Sequence, residues 1–163
     1  MSAGDVWPTL RFREMLMDGT VTLDWDSCTI HMVLMKASLT AYVDNSHLAD
    51  LSFYGSVTAE ECNVDGADST RAVPSLSVTL SSSFVLLKGG PVTFSSTSSG
   101  GETARFALLI HNTGTPATSP VIAILDLGEA RALTGASNST PLIWSPTGNK
   151  YIKFSGSGTP GLA

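Results

Sequence analysis

The residues best equipped for chemistry in this chain are three histidines, two cysteines and two aspartates set around a tryptophan. His31, His47 and His111 lie far apart, in no HxH or HxxxH spacing and with no cysteine or aspartate cluster beside them. They read as surface or hydrogen-bonded histidines, and no metal site is expected. Asp24 and Asp26 flank Trp25. On a strand they would project to one side, about 7 Å apart, an arrangement similar to the carboxylate pair of a glycosidase. Solvated carboxylates beside a turn are the simpler reading. Cys28 and Cys62 allow a single bridge, but nothing in their spacing argues for it, and buried free thiols are expected.

No nucleophile elbow, HExxH helix or Walker loop is present. Gly89-Gly90 runs into Pro91 and Gly100-Gly101-Glu102 into a strand pattern, so neither opens a helix that would cradle phosphate. Trp7, Trp25 and Trp144 are too scattered for a carbohydrate-stacking platform and read as core. Asp126 interrupts an apolar run. Its simplest role is to end a strand by accepting backbone N–H groups of Leu127-Gly128; a buried, partnered carboxylate is the alternative, and a ligand or calcium site a more remote one. No catalytic, cofactor-binding or metal residue is assigned, and the chain reads as a non-enzyme.

The element that organises the rest is Glu102 to Gly128, ETARFALLIHNTGTPATSPVIAILDLG. Ala104 to His111 and Val121 to Leu127 are strand-forming runs, joined by the turn chemistry of Asn112-Thr113-Gly114 and by Pro120. Apolar residues occupy successive positions in both runs. Phe106, Leu108 and Ile110 face one side, Ala107 and Leu109 the other, which predicts central strands covered on both faces.

Upstream, Pro8 to Asp18 predicts one short helix, with Pro8 in its first turn, Phe12, Met15 and Leu16 on one face, and Gly19 as the stop. Thr20–Trp25 and Cys28–Met35 alternate and predict a hairpin or neighbouring strands around Asp26-Ser27. Leu39–Gly66 is loop-rich, with a short helix or turn at His47–Phe53. Leu76–Leu80 and Phe84–Leu87 predict short strands, Lys88-Gly89-Gly90-Pro91 a turn, Val92–Phe94 another strand, and Ser95–Gly101 a loop. Glu129–Ser139 reads as a connection or a single helical turn, and Thr140–Ser145 with Tyr151–Ser155 as a final hairpin about Pro146-Thr147-Gly148-Asn149. Eight or nine short strands and one helix predict a mainly β fold, an antiparallel β-sandwich or distorted barrel with one short N-terminal helix. Residues 1–155 form a single β-rich domain with a short N-terminal arm, and 156–163 a flexible tail.

Composition narrows the partners. Charged residues make up 14% of the chain, against about 25% in typical soluble domains, and Ser, Thr and Gly take their place. Such a surface suits a protein packed against neighbours, and it leaves edge strands poorly guarded. Nine scattered Lys and Arg with a net charge of −5 argue against nucleic acid. No run reaches the length of a membrane helix, and the N-terminus lacks signal-peptide character, so synthesis in the cytoplasm is expected.

Taken together, three stretches form a recognisable order: FREMLMDGTVTLDWDSCTIHMVLM, then ARFALLIHNTGTPATSPVIAILDLG, then PLIWSPTGNKYIKF. This order resembles a family of small β-rich virion structural proteins of tailed bacteriophages. The shared pattern is a glycine-stopped helix, a strand pair, a variable middle, an apolar strand, and a loop like Asn112-Thr113-Gly114-Thr115. A Ser-Pro, here Ser119-Pro120, then opens a strand ending in Asp, here Asp126, and the chain closes on a Trp-bearing hairpin, here Trp144 to Phe154. The resemblance spans about Phe12 to Phe154, is densest over 104–128, and departs in the Ser-rich 75–99 region and after Phe154. It implies a capsid decoration or cement protein on the capsid exterior. Its partners would be the major capsid protein and copies of itself, a homotrimer being one arrangement, with no nucleic acid, membrane or cofactor. Met1–Pro8 and Gly156–Ala163 are candidate arms that order on binding. The alternatives are another virion component, in tail or head fibre, and a carbohydrate-binding or hydrolytic β-sandwich using Asp24, Asp26 and the tryptophans.

Overall fold

Thr9 decides where the helix begins. Its backbone is extended (φ −63°, ψ 145°), and its hydroxyl accepts the N–H of Phe12 at 3.0 Å while donating to the carbonyl of Val121 at 3.0 Å. One side chain therefore caps helix α1, Leu10–Met17, and ties it to a strand far along the chain. Pro8 is not in the first turn: it ends a strand, β1 (Val6–Pro8), opposite Ala123. An edge position suits a residue with no N–H to donate. The expected arm is thus part of the sheet from Val6 onward. Phe12 and Met15 are buried, Leu16 only partly, and Gly19 follows the helix at φ +76° as a left-handed stop.

The computed structural model describes residues 6–20, 22–39, 51, 53–64, 67–80, 84–94, 102–133, 142–144 and 150–155. The chain is mainly β, with antiparallel sheets and this one α-helix among the described residues. After α1 come β2 (Ile30–Lys36), β3 (Asn63–Val64), β4 (Ala67–Asp68), β5 (Arg71–Ala72), β6 (Ser77–Leu80), β7 (Phe84–Lys88) and β8 (Val92–Phe94). Then follow β9 (Thr103–His111), β10 (Val121–Ala132), β11 (Leu142–Trp144) and β12 (Lys150–Ser155). The principal sheet has the order β1-β10-β9-β2-β5; β12-β7-β6 and β11-β8 form smaller sheets, and β3-β4 a two-residue ladder. Its linear order makes the large sheet open, so among the described residues the arrangement is layered, not closed into a barrel. His47 and the residues of 95–101, 134–139 and 156–163 lie outside the described set.

The strands predicted to be apolar on both faces are covered on both. On one side Ile30, Met32, Leu34, Ala107, Leu109 and Leu125 pack with Phe12 of α1, Leu87 of β7, and Val92 and Phe94 of β8. On the other, Val33, Met35, Phe106, Leu108, Ile110 and Ile124 pack under Leu39, Leu51, Tyr54 and Val57. That second cover carries the 3-10 turns Ala37–Leu39, Tyr54–Ser56 and Thr58–Glu60. The described part of the loop-rich middle, Leu39, Leu51 and the turns of 53–60, is therefore the lid of a second core.

Three pairings differ from expectation. The described residues of Thr20–Trp25 form no strand beside β2; the N–H groups of Ser27 and Cys28 close a turn on the Asp24 carbonyl at 3.2 and 2.8 Å. Trp25 leaves that turn for the core, and its indole N–H donates to the Lys88 carbonyl at 2.7 Å. With both faces apolar, β2 instead takes an interior place between β9 and β5. At the other end, β11 and β12 are not a hairpin: β11 pairs with β8 and β12 with β7. The link from β7 to β8 turns away at Gly90, whose N–H donates to Pro74, so each of the two strands keeps an edge for a late partner. Finally, β10 does not stop near Asp126 but runs on to Ala132, so Glu129 begins no separate connection.

Candidate interaction surface

The outer strand β6 leaves part of the molecule's apolar interior uncovered. It pairs with β7 in the register Ser77–Lys88, Val78–Leu87, Thr79–Leu86 and Leu80–Val85. Directly opposed residues of an antiparallel pair point to the same face. Val78 and Leu80 thus share the face on which Leu87 belongs to the core and Val85 packs against it. Leu76, one residue before the strand, packs there too. Yet Val78 is 39% and Leu80 75% exposed, so the cover that Leu87 has is lost progressively along β6 toward Leu80. The apolar face overhangs its own core.

Nothing among the described residues pairs with the outer side of β6. Ser77-Val78-Thr79-Leu80 also has no charge or proline, the usual devices that keep an edge from pairing with another chain. A second exposed apolar spot lies at the end of α1, where Met17 is 89% exposed beside a shallow depression shared with Arg13, Glu14 and Asp18.

The residues singled out for chemistry are dispersed. Asp24 and Asp26 sit in the exposed turn about Trp25, not on a strand. Their carboxyls share a hydrogen bond: Asp24 is held below the usual range by a hydrogen bond from Ser27 and then by that from Asp26, while Asp26 is pushed up by its bond to Asp24. Trp25 between them is buried, so it presents no stacking face beside the pair. Trp7 is placed in β1 and Trp144 in β11.

His31 and His111 occupy neighbouring strands, opposite Ile110 and Ile30 respectively, so alternation sets them on opposite faces. His31 is half-buried, and its Nδ1 lies 3.1 Å from the amide nitrogen of Asn112; burial holds its pKa down. Cys28 is half-buried and Cys62 buried, and both are free thiols. Among the described residues no group of three His, Cys, Asp or Glu is placed to hold a metal ion, and no helix is long and apolar enough to cross a membrane.

Asp126 combines two of the roles considered for it. Its Oδ1 accepts the N–H of Gly128 at 2.8 Å, and its buried carboxylate is paired with Arg105. It does not end the strand.

Two features escaped the sequence reading. Glu61 accepts from the N–H of Ser69 at 2.8 Å, from the hydroxyls of Ser69 and Thr70, and from the phenol of Tyr54. Ser69, fully buried, also receives the N–H of Leu34 at 2.9 Å. Together they replace a strand partner along β2 where β5 stops. An acidic run with turn residues gives no hint of this. The exposure of Leu80 was equally hidden, since an uncovered leucine and a buried one look alike in a strand pattern.

No family model matches this chain, and neither a curated protein nor a solved structure does.

Proposed function

We propose that this chain is a virion structural protein of a tailed bacteriophage, a capsid decoration or cement protein that binds the outer face of the major capsid protein and stabilises the head. The observation carrying the reading is the open β6 edge with Val78 and Leu80 uncovered on its core-facing side. The resemblance in the order of features, densest over 104–128, and the low charge support it.

The mechanism is adhesive. An open edge offers backbone N–H and C=O groups to an added strand, and the overhanging side chains add apolar burial. On a shell that strand can be the same edge of a neighbouring copy, so that copies bound to adjacent capsid subunits tie those subunits together. A single contact of this kind is weak. Repeated over every equivalent position of a shell, such contacts sum to a large stabilisation without any being strong.

The experiment is to count copies in purified particles by quantitative mass spectrometry, and to add purified protein to particles lacking it. Copy number on the scale of the capsid lattice, with binding lost on Leu80→Asp, is the expected result. A handful of copies per particle would move the protein to the tail, and absence from particles would end both readings.

A further inference from the structure

The order of residue types along the open edge is a palindrome. Leu76, Ser77, Val78, Thr79 and Leu80 run apolar, hydroxyl, apolar, hydroxyl, apolar from either end. We propose that a second copy of this chain occupies the edge, two β6 strands pairing antiparallel about a twofold axis at Val78.

In that register Leu76 faces Leu80 of the second copy, Ser77 faces Thr79, and Val78 faces itself. All three apolar positions lie on the core-facing side, where Leu76 already packs and Val78 and Leu80 stand uncovered. Aliphatic pairs and Ser–Thr hydrogen bonds are the cross-strand contacts that stabilise a sheet. The pairing joins two three-stranded sheets into one of six and satisfies the row of backbone groups on both edges.

Neighbouring registers do worse. A slip by one residue turns the apolar face of one copy to the outer face of the other. An axis at Thr79 leaves Leu76 unmatched. In the other direction the window is closed by Pro74 and by Ser75, whose φ of +54° is not a strand conformation. The edge carries no charge that would select an oppositely charged partner, whereas its own sequence complements it at every position. A twofold contact is by nature isologous, one patch meeting itself.

The inference rests on the assembly reading only in taking this edge as an interface; the pair forms, or fails to form, with no particle present. Sedimentation of the full chain over a range of concentrations is expected to show a monomer moving toward a dimer, and Leu80→Asp or the milder Leu80→Ser to abolish the shift while keeping the circular dichroism of the parent.

Cysteine trapping reads the register. Opposed α-carbons lie about 4.5 to 5.5 Å apart, within disulfide reach, whereas Thr79 stands diagonally from its own copy at about 7 to 8 Å. Val78→Cys should therefore cross-link to itself on oxidation, with the bond mapped by mass spectrometry, and Thr79→Cys should not. A monomer at every concentration together with an uncoupled Val78→Cys thiol overturns the proposal, as does equal cross-linking at both positions. A chain that stays monomeric yet still adds to particles would overturn the pair alone and leave the assembly reading standing.

Discussion

The guanidinium of Arg105 on β9 reaches the buried carboxylate of Asp126 on the neighbouring β10, its Nη2 lying 3.0 Å from Oδ1 and 3.1 Å from Oδ2. The pair bridges a large bulge. Between the partners Asp126–Phe106 and Arg131–Ala104, β9 has Arg105 alone, while β10 has Leu127, Gly128, Glu129 and Ala130. Gly128 turns at φ +85°, and its N–H is held by Asp126. One carboxylate thus answers both the strand opposite and its own local turn.

Removing it leaves Arg105 and the Gly128 N–H without their acceptor. Asp126→Ala should cost about 2 to 4 kcal/mol, and Gly128→Ala about 1 to 2 kcal/mol from backbone strain. Urea denaturation of both single variants and the double variant measures this. A fully additive double variant would show that carboxylate and bulge are not coupled.

Gly55 and Ala117 are in backbone contact. A Cβ on Gly55 would stand 2.8 Å from the Ala117 Cα and 2.9 Å from its nitrogen. This close approach docks the Pro116–Thr118 turn on the lid of the second core, where the Tyr54 N–H donates to the Ser119 carbonyl at 2.9 Å. Gly55→Ala should destabilise by about 1 to 3 kcal/mol and raise amide exchange across 112–119. Unchanged stability would mean that the turns separate freely.

His31 gives the fold a sensitivity to acid. The Oδ1 of Asn112 accepts the Gly114 N–H at 2.9 Å, which sets the amide so that its Nδ2 faces Nδ1 of His31. That Nδ1 must then be an unprotonated acceptor. Burial holds the group below its ordinary value of 6.5, so on acidification the unfolded chain takes up its proton first. Stability is complete above 6.5 and is lost from there down to the folded-state pKa. Replacing His31 with Gln should flatten the stability difference between about pH 7 and pH 5; an identical pH slope in the variant would assign it to other groups.

The two thiols should differ in reactivity. Burial, then the charge of Glu102, pushes Cys62 up to about 12, and burial raises the half-exposed Cys28 as well. Alkylation near pH 8 should leave Cys62 untouched in the native protein, label Cys28 slowly, and label both once the chain is unfolded. Prompt native labelling of Cys62 would show that its site opens readily.

What was legible in the sequence was local. Successive apolar residues in β9 and β10 announced two covered faces, and both are present as separate cores. Gly19, the strands β6 and β7 and the Asn112-Thr113-Gly114 turn followed from spacing and turn chemistry; that β6 and β7 pair was added by the structure. The choice of neighbours did not. Two apolar strands close in sequence look like a hairpin whether or not they pair, and only packing elsewhere sends β11 to β8 and β12 to β7. Trp25 alternates like a strand residue but is drawn from a turn into the core by burial and the Lys88 carbonyl. The partner of Asp126 could not be named from the sequence because its cation, Arg105, stands on another strand. The exposure of Leu80 could not be read from the strand pattern, because a period of two reports which side a residue faces, not whether anything lies there.

The bond from Thr9 to Val121 closes across 112 residues, and this sets a clock on synthesis. At a ribosomal rate of roughly 5 to 20 residues per second, the helix cap waits about 6 to 22 s for its strand to be made. β1 waits for the same strand, and β2 for β9. The central sheet cannot close progressively behind the ribosome; it assembles once β9 and β10 have emerged, with the slow folding that non-local pairing brings.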